Sequence, residues 1–117
     1  MTFTDDDIAA LLPLPPATFH ILMALAPGDR HGYAIILDVE ARTGGEIRLS
    51  AGTLYRAIHR LLEQGLLAER RRPAGDDERR RYYGLTPFGL AVARAETARL
   101  AQMLRMARKQ GLLPERA

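Results

Sequence analysis

Apolar residues recur at helical spacing along the chain, and one of these stretches carries positive charge on its other face. Between residues 50 and 64 the apolar residues stand at positions i, i+4, i+7 and i+8, the pattern of a helix with one buried face. They are Leu54, Ile58, Leu61 and Leu62. Ser50 precedes them and suits an N-cap, because its hydroxyl can accept a hydrogen bond from an amide of the first turn. The pattern therefore predicts an amphipathic helix over residues 50–64.

The opposite face of this helix combines small side chains with arginines. We expect it to hold Thr53, Arg56, Ala57, Arg60 and Gln64. Small residues beside Arg56 and Arg60 would let the helix enter a DNA major groove and place hydrogen-bond donors on bases and phosphates. An ordinary helix with a solvated basic face would show the same pattern, so the neighbouring elements have to separate the two interpretations.

Three further helices are predicted ahead of this one. Thr4 followed by three aspartates is typical of a helix start, and a proline-rich segment separates this short helix from a second one over residues 17–26. A third helix begins at His31 and ends near Thr43, where two glycines follow. Because a short connection joins this third helix to the basic one, the pair predicts a helix-turn-helix.

The residues after Gln64 predict a β-hairpin. Residues 66–72 and 79–85 have the composition of strands, and the segment 73–78 between them is rich in turn-forming residues. A hairpin directly after a helix-turn-helix is a wing, which can reach a minor groove or its phosphates. Two arginine triplets flank the turn: Arg70, Arg71, Arg72, Arg79, Arg80 and Arg81. We expect them to face one another across the hairpin and to attract an anion, although a hairpin neutralised by counter-ions is the alternative.

A long amphipathic helix is predicted at the end of the chain. Thr86 and Pro87 are typical of a helix start, and a helix from there to about Gln110 would be roughly 36 Å long, more than a small domain needs to cover its core. We expect the excess apolar surface to form a homodimer interface, whereas a helix folded back on its own domain is the alternative. The predicted interface residues are Ala93, Thr97, Leu100, Met103, Leu104 and Ala107.

Together these patterns predict a mostly α-helical fold with a small β-hairpin, that is, a winged helix-turn-helix with a long C-terminal dimerisation helix. We expect residues 1–86 to hold the N-terminal helix and the DNA-binding domain, and residues 87–117 to hold the dimerisation helix and a tail.

Composition narrows the class of protein. The chain has 117 residues, which suits one small domain. Sixteen of its seventeen cations are arginine, which suits bidentate contact with phosphate and guanine, although a GC-rich genome would give the same bias. Cysteine is absent, so disulfides and thiolate metal sites are excluded. The sequence shows no secretory leader and no apolar run that would span a membrane, so we expect a cytoplasmic protein.

Catalysis has little support in the sequence. The three histidines, His20, His31 and His59, fall on separate predicted helices or their ends, and no glycine-rich phosphate-binding loop is present. The aspartates at residues 5–7 are adjacent on a helix, so they point in different directions and do not form a metal site. We therefore predict no catalytic residues, no metal and no cofactor.

Several short motifs in these elements resemble those of the PadR-like winged-helix transcriptional regulators. The motifs are His31-Gly32-Tyr33, Leu49-Ser50-Ala51-Gly52-Thr53-Leu54-Tyr55, Glu63-Gln64-Gly65-Leu66-Leu67 and Arg81-Tyr82-Tyr83-Gly84-Leu85-Thr86, with Gly89 after them. The resemblance covers Ala17 to Gly89. It implies a homodimeric repressor that binds double-stranded operator DNA, controls its own or a neighbouring operon, and is released by a small molecule or another signal.

The resemblance also implies roles for individual residues. Ser50, Thr53 and Tyr55 would contact DNA at the start of the recognition helix, and the wing arginines would hold the DNA backbone. The family commonly has proline where this chain has Ala51 and Arg56, and the two replacements free the helix start and add a cation. The resemblance therefore does not extend to the operator sequence or to the entry geometry of the helix.

The resemblance leaves the effector unidentified. Members that bind flat aromatic drugs have a tryptophan near the dimer pore, and this chain has none, so that ligand mode is unsupported. Any effector pocket would lie between the N-terminal helix and the long C-terminal helices, lined by residues such as Leu100, Met103 and Leu104. Such residues more often form plain core.

The competing interpretation is a winged helix that binds protein without sequence-specific DNA binding. The arginine clusters argue against it, because protein-binding surfaces favour aromatic anchors over stacked cations. Salt separates the two, since binding through several phosphates weakens steeply as salt rises.

Overall fold

The computed structural model describes residues 2–114, and this range holds five α-helices and three short strands. In chain order they are α1 (Asp5–Ala9), α2 (Pro16–Leu25), β1 (Arg30–His31), α3 (Gly32–Arg42), α4 (Ala51–Glu63), β2 (Leu67–Arg70), β3 (Tyr82–Leu85) and α5 (Pro87–Lys109). The predicted fold, mostly helical with a small hairpin, is confirmed. Helices α3 and α4 form the helix-turn-helix, and β2 and β3 form the wing.

Side chains cap the predicted starts of α1, α4 and α5. At α1, Asp7 N–H donates to Thr4 Oγ1 while Thr4 N–H donates to the Asp7 carboxylate, a reciprocal pair that satisfies two free amides. Ser50 Oγ accepts the Thr53 amide at 3.1 Å at the start of α4. Thr86 does the same for α5. The predicted start of each of these helices is confirmed.

The wing belongs to a three-stranded antiparallel sheet, with β3 in the centre and β1 and β2 on its two sides. β2 and β3 pair only as far as Arg70 opposite Tyr82. The predicted strands, 66–72 and 79–85, are therefore too long, because the residues near the turn bond to one another rather than across a ladder. β1 is not predictable from the sequence, since two residues are too few to show alternation.

The hydrophobic core lies between α2, α3, α4, the first half of α5 and the sheet. Its most deeply buried aliphatic side chains are Ile21, Leu22, Leu25, Ile35, Val39, Leu54, Ile58, Leu61, Leu66 and Val92. Burying one side chain of this size contributes about 1.5–3 kcal/mol to folding. α4 supplies three of them, so its apolar face determines which of its residues remain exposed.

The expectation that Ala57 lies on the outer face of α4 is wrong. Only 6% of its surface is exposed, and it packs in the core cluster. Ala57 lies three residues after Leu54 and four before Leu61, so the helical period places it in the buried stripe. It is therefore not a candidate for contact with DNA.

Glu96 is a charged side chain buried in α5, with 2% of its surface exposed. Its Oε2 accepts the Leu14 amide at 3.0 Å, and its Oε1 accepts Arg99 Nε at 2.6 Å. The hydrogen bonds from Arg99, ahead of the Leu14 amide, lower the pKa of the Glu96 carboxyl below its ordinary value. Glu96 therefore ties the segment between α1 and α2 to the middle of α5.

The start of α5 packs closely against the start of the wing. The Thr86 amide donates to the carbonyl oxygen of Leu66 at 3.1 Å. A Cβ atom at Gly89 would overlap that same oxygen, so only glycine fits there. Just before this contact, Gly65 ends the turn after α4 with φ +77°, a left-handed conformation that favours glycine. Both motif glycines thus have a structural cause.

α5 is the longest element, with 23 residues. In its first half Val92 and Glu96 are buried. In its second half, beyond Arg99, the large apolar side chains are exposed. Within residues 2–114, no helix is both long and apolar enough to cross a membrane.

We expect Gly89→Ala to destabilise the protein by about 1–3 kcal/mol, because the added methyl group overlaps the backbone of Leu66. Gly52→Ala is the matched control, since it also lies in a first helical turn but has room for a Cβ. That control should be neutral or stabilising, because alanine lowers the conformational entropy of the unfolded chain. Urea unfolding monitored by circular dichroism measures both, and equal midpoints would contradict the close contact.

We expect Glu96→Gln to reduce stability at neutral pH and to remove part of the acid sensitivity of the protein. A carboxyl whose folded pKa is lowered contributes stability that is fully present above the unfolded pKa of about 4.3. That contribution is lost as the pH falls through the lowered folded pKa. Urea unfolding of both proteins at several pH values should show their difference shrinking in acid. A difference independent of pH would contradict the role of the charge.

Candidate nucleic-acid interface

The outer face of α4 holds exposed polar and cationic side chains on a rigid helix. Thr53, Arg56 and Arg60 are exposed along it, and Ser50 caps its start. Arg56 Nη2 lies 3.5 Å from Thr53 Oγ1. Within residues 2–114, no carboxylate lies within ion-pair distance of Arg56 or Arg60. Both guanidinium groups are therefore available to an external anion or base edge.

Tyr55 occupies a different place from these residues. Its ring lies over the N-terminus of α3, where a Cβ at Gly32 would overlap the Tyr55 hydroxyl. This contact explains the glycine in the His31-Gly32-Tyr33 motif. About half of the surface of Tyr55, 49%, remains exposed. Tyr55 thus joins the start of α4 to α3 and still presents surface to a partner.

A cleft of about 380 Å³ separates the N-terminus of α3 from the wing. Its lining includes His31, Tyr33, Tyr55 and Arg79–Arg81. The structure thus brings the second arginine triplet close to the start of α4. Tyr33 is exposed at this edge, and the sequence analysis did not select it as a site residue. Its place in the His31-Gly32-Tyr33 motif was the only signal for it.

His31 is a structural residue at the edge of this cleft. Its Nδ1 accepts the Ala34 amide at 3.1 Å and caps α3. Its ring meets the edge of Tyr82 with ring centroids 5.4 Å apart. Burial, and then the charge of Arg80, lower the pKa of His31 below its ordinary value. The imidazole is therefore neutral at neutral pH, which leaves the positive charge of the cleft to the arginines.

The expectation that the arginine triplets face one another across the wing is wrong. Of the six, only Arg70 lies in a strand, and its partner position is Tyr82. The second triplet is paired with carboxylates instead: Arg79 with Asp77 at 3.0 Å, Arg80 with Asp76 at 3.1 Å and Arg81 with Glu69 at 3.3 Å. Acidic residues in and beside the turn therefore neutralise these arginines. The predicted external anion is not needed to relieve their mutual repulsion.

The first triplet has mixed contacts. Arg70 Nη2 donates to the Leu85 carbonyl oxygen at 2.7 Å, which adds a side-chain contact between β2 and β3. Arg72 Nη1 donates to the Glu78 carbonyl oxygen at 3.3 Å, across the turn. Arg71 is exposed. Arg70 and Arg72 therefore support the shape of the wing in addition to its charge.

Asp76 and Asp77 organise the tip of the wing. Asp76 accepts the Tyr82 hydroxyl, a hydrogen bond that lowers the pKa of this carboxyl more than any other contact. Asp77 accepts the Arg79 side chain and, at 2.9 Å, the Arg79 amide, and these bonds lower its pKa as well. Both carboxyls are therefore charged and occupied at neutral pH.

The predicted dimer residues divide along α5. Ala93 packs against the core of its own chain, and the Thr97 hydroxyl donates to the Ala93 carbonyl oxygen. Leu100, Met103 and Leu104 are between 39% and 49% exposed. The second half of α5 therefore carries an apolar surface that its own chain leaves uncovered within residues 2–114.

The expected effector-pocket residues divide in a similar way. Leu100 lines a cavity of about 360 Å³ between α2 and α5, together with Phe19 and the Glu96–Arg99 pair. A larger cavity of about 630 Å³ lies between α1 and the start of α5, lined by apolar residues that include Phe3 and Phe88. Met103 and Leu104 line neither cavity. Among the described residues, no group of three or more metal-ligating side chains is suited to a metal ion.

Comparison with known proteins gives independent evidence of the family to which the chain is related. The transcriptional regulator PadR-like family matches residues 21–95. The chain is 36% identical over 86 residues to the transcriptional regulator Rv3488 of Mycobacterium tuberculosis, covering 74% of this chain and 77% of that protein. It is also 37% identical over 83 residues to an uncharacterised 37.1 kDa protein in transposon Tn4556 of Streptomyces fradiae. That match covers 71% of this chain but only 22% of the relative's length.

A solved structure shows the same fold. The crystal structure of Bacillus subtilis PadR in complex with operator DNA matches with a TM-score of 0.61 and 21% sequence identity. The match covers 69% of this chain and 46% of that one. The likeness extends to a protein that was crystallised on DNA.

We expect Arg60→Ala to weaken binding to the duplex from upstream of the protein's own gene by about 1–3 kcal/mol if Arg60 reads a base edge. Fluorescence anisotropy with that duplex and a random duplex measures the loss, which should be larger for the upstream DNA. Arg94→Ala is the control, because it removes the same charge from the exposed surface of α5. Equal affinities for the two variants would show that Arg60 does not contact DNA.

Proposed function

Because the chain belongs to the PadR-like family of transcriptional regulators, we propose that it is a homodimeric repressor that binds a near-palindromic operator through α4 and the wing. The family consists of DNA-binding regulators rather than enzymes. The proposal adds the dimer, the contact residues, the repressor role and release by a signal. Since its target is genomic DNA, we place its action in the cytoplasm.

The free arginines of α4 carry the proposal. Arg56 and Arg60 project from a helix whose other face is locked into the core, and they have no carboxylate partner among the described residues. A rigid helix with free guanidinium groups can place them on guanine edges or phosphates without first breaking an ion pair. Ser50, Thr53 and Tyr55 would add contacts at the start of the same helix.

The wing would hold the DNA backbone beside this helix. Arg79–Arg81 line the same cleft as Tyr33 and Tyr55, so a duplex seated on α4 would run past them. Phosphate contacts position a protein on DNA without reading its sequence. We therefore assign sequence reading to α4 and positioning to the wing, with Arg70–Arg72 supporting it.

The exposed second half of α5 would form the dimer. The predicted residues there are Leu100, Met103, Leu104 and Ala107, and Met106 widens the same apolar surface. The end of this helix is basic, whereas α1 begins with three aspartates beside the apolar cavity that Phe3 and Phe88 line. The end of α5 thus complements the α1 region of a second copy in both charge and apolarity.

A two-fold dimer explains why the operator would be nearly palindromic. The two α4 helices would enter successive major grooves, roughly 34 Å apart, if the dimer axis passes through the DNA. A signal that altered the α1–α5 contact would change this spacing and release the DNA. The apolar cavity between α1 and α5 is the place where a small molecule would have this effect.

The proposal is tested by measuring affinity for the DNA upstream of the protein's own gene and for a random duplex of equal length, at low and moderate salt. An operator-binding repressor should retain a specific complex at moderate salt, whereas its random-duplex complex should dissociate, because phosphate contacts weaken steeply with salt. Equal and weak binding to both would contradict autoregulation. Transcription from the upstream promoter in vitro, with and without protein, then distinguishes repression from activation.

We expect Leu104→Glu to produce monomers in sedimentation velocity, because it buries a charge in an apolar interface. Affinity for the operator should fall as well, since each monomer would hold one half-site. Leu37→Glu is the matched control, because Leu37 is a leucine of α3 with the same 46% exposure. Should Leu104→Glu sediment as the unmodified protein does, another surface would join the chains.

A further inference from the structure

The wing carries nearly as many carboxylates as arginines. Residues 69–81 hold six arginines and four acidic residues, which leaves a net charge of +2. The acidic residues are not placed apart from the arginines: three of them form ion pairs with the second triplet. α4 is different, because its exposed Arg56 and Arg60 have no such partner within residues 2–114. The second arginine triplet of the wing is therefore paired with carboxylates, whereas the arginines of α4 are not.

Each pair places a carboxylate where a phosphate would otherwise bind. Arg79 binds Asp77 through two nitrogens, with Nε at 3.2 Å and Nη2 at 3.0 Å. This two-point geometry is the one that a guanidinium group offers to a phosphate. Arg81 reaches across the hairpin to Glu69, twelve residues away in sequence. These carboxylates therefore accept hydrogen bonds from the same guanidinium N–H groups that would donate to DNA phosphates.

The side chains remain accessible in spite of this pairing. The Arg79 side chain is 91% exposed and that of Arg81 is 73% exposed. An exposed ion pair contributes little to stability, so an incoming phosphate can displace the carboxylate. Asp76 is different, because it is largely covered and also holds the Tyr82 hydroxyl. Glu69 and Asp77 are thus the exchangeable partners. Asp77 can release the Arg79 guanidinium group and still accept the Arg79 amide, while Asp76 keeps the Tyr82 hydroxyl.

We propose that Glu69 and Asp77 are affinity-determining residues of DNA binding, which compete with DNA phosphates for Arg81 and Arg79. The inference rests on the proposed function, since it requires the wing to contact DNA. Exchange of one anion for another gains little free energy, so the wing by itself attracts arbitrary DNA weakly. The free arginines of α4 start the complex, and the wing exchanges partners after α4 has docked.

The first test measures affinity for a random duplex at fixed low salt, using full-length protein and fluorescence anisotropy. Glu69→Gln and Asp77→Asn should each tighten binding about two- to fivefold, which corresponds to the free energy of one exposed ion pair. Glu78→Gln is the matched control, because it removes the same charge from the same wing at an exposed carboxylate that pairs with no arginine within residues 2–114. Urea unfolding establishes that all variants are folded.

The second test is a double-mutant cycle between Glu69 and Arg81. If Glu69 competes for Arg81, the gain from Glu69→Gln should disappear in an Arg81→Ala background, since no guanidinium remains to be released. A gain that persists there would overturn the proposal, because Glu69 would then act on DNA only through long-range repulsion. A loss of affinity in Glu69→Gln alone would also overturn it, since Glu69 would then position Arg81 for DNA.

The same cycle separates this proposal from the proposed function. If Arg81→Ala weakens binding while Glu69→Gln has no effect, the wing contacts DNA and only the competition is refuted. If neither substitution changes affinity but Arg60→Ala does, the wing does not contact DNA, so the wing assignment and the competition fail together while α4 keeps its role.

Discussion

The burial of one face of α4 is the interaction on which the rest of the interface depends. Leu54, Ile58 and Leu61 are almost completely excluded from solvent, and each contributes about 1.5–3 kcal/mol. A rotation of α4 that exposed them would cost much of the stability of a small domain, which is typically 5–15 kcal/mol. The helix therefore has one orientation. Arg56 and Arg60 point outward as a consequence, and no hydrogen bond to another element is needed to hold them there.

The wing and the long helix share a second constraint, at the point where the chain leaves α4. Gly65 turns the chain, Leu66 begins the wing, and Gly89 lets the first turn of α5 lie directly against the Leu66 carbonyl group. Glu96 then holds the middle of α5 to Leu14 near α1. Because these contacts are in or beside the core, a change in the direction of α5 would be transmitted to the wing and to α1. A dimer built on α5 would thus be coupled through packed backbone to the surface that α4 and the wing form.

Electrostatics divide the interface into two parts. The arginines of α4 have no carboxylate partner among the described residues, whereas Arg79, Arg80 and Arg81 are each held by a carboxylate. Charge that is free attracts a polyanion at long range, while charge that is paired acts only after its partner is displaced. A count of arginines therefore overstates the attraction of the wing for DNA, and the number of free guanidinium groups describes it better.

The sequence by itself determined the helices, the caps of α1, α4 and α5, and most of the α4 faces, because these depend on residues only three or four positions apart. It also predicted the wing from two short strands around a turn. Only the tertiary structure decided that β1 completes the sheet, that Glu96 is a buried charge, and that Glu69 binds Arg81. These features join residues that are distant in sequence, and local periodicity does not indicate which distant residues will pair. They form only when the chain has folded and brought the side chains within a few ångströms of one another.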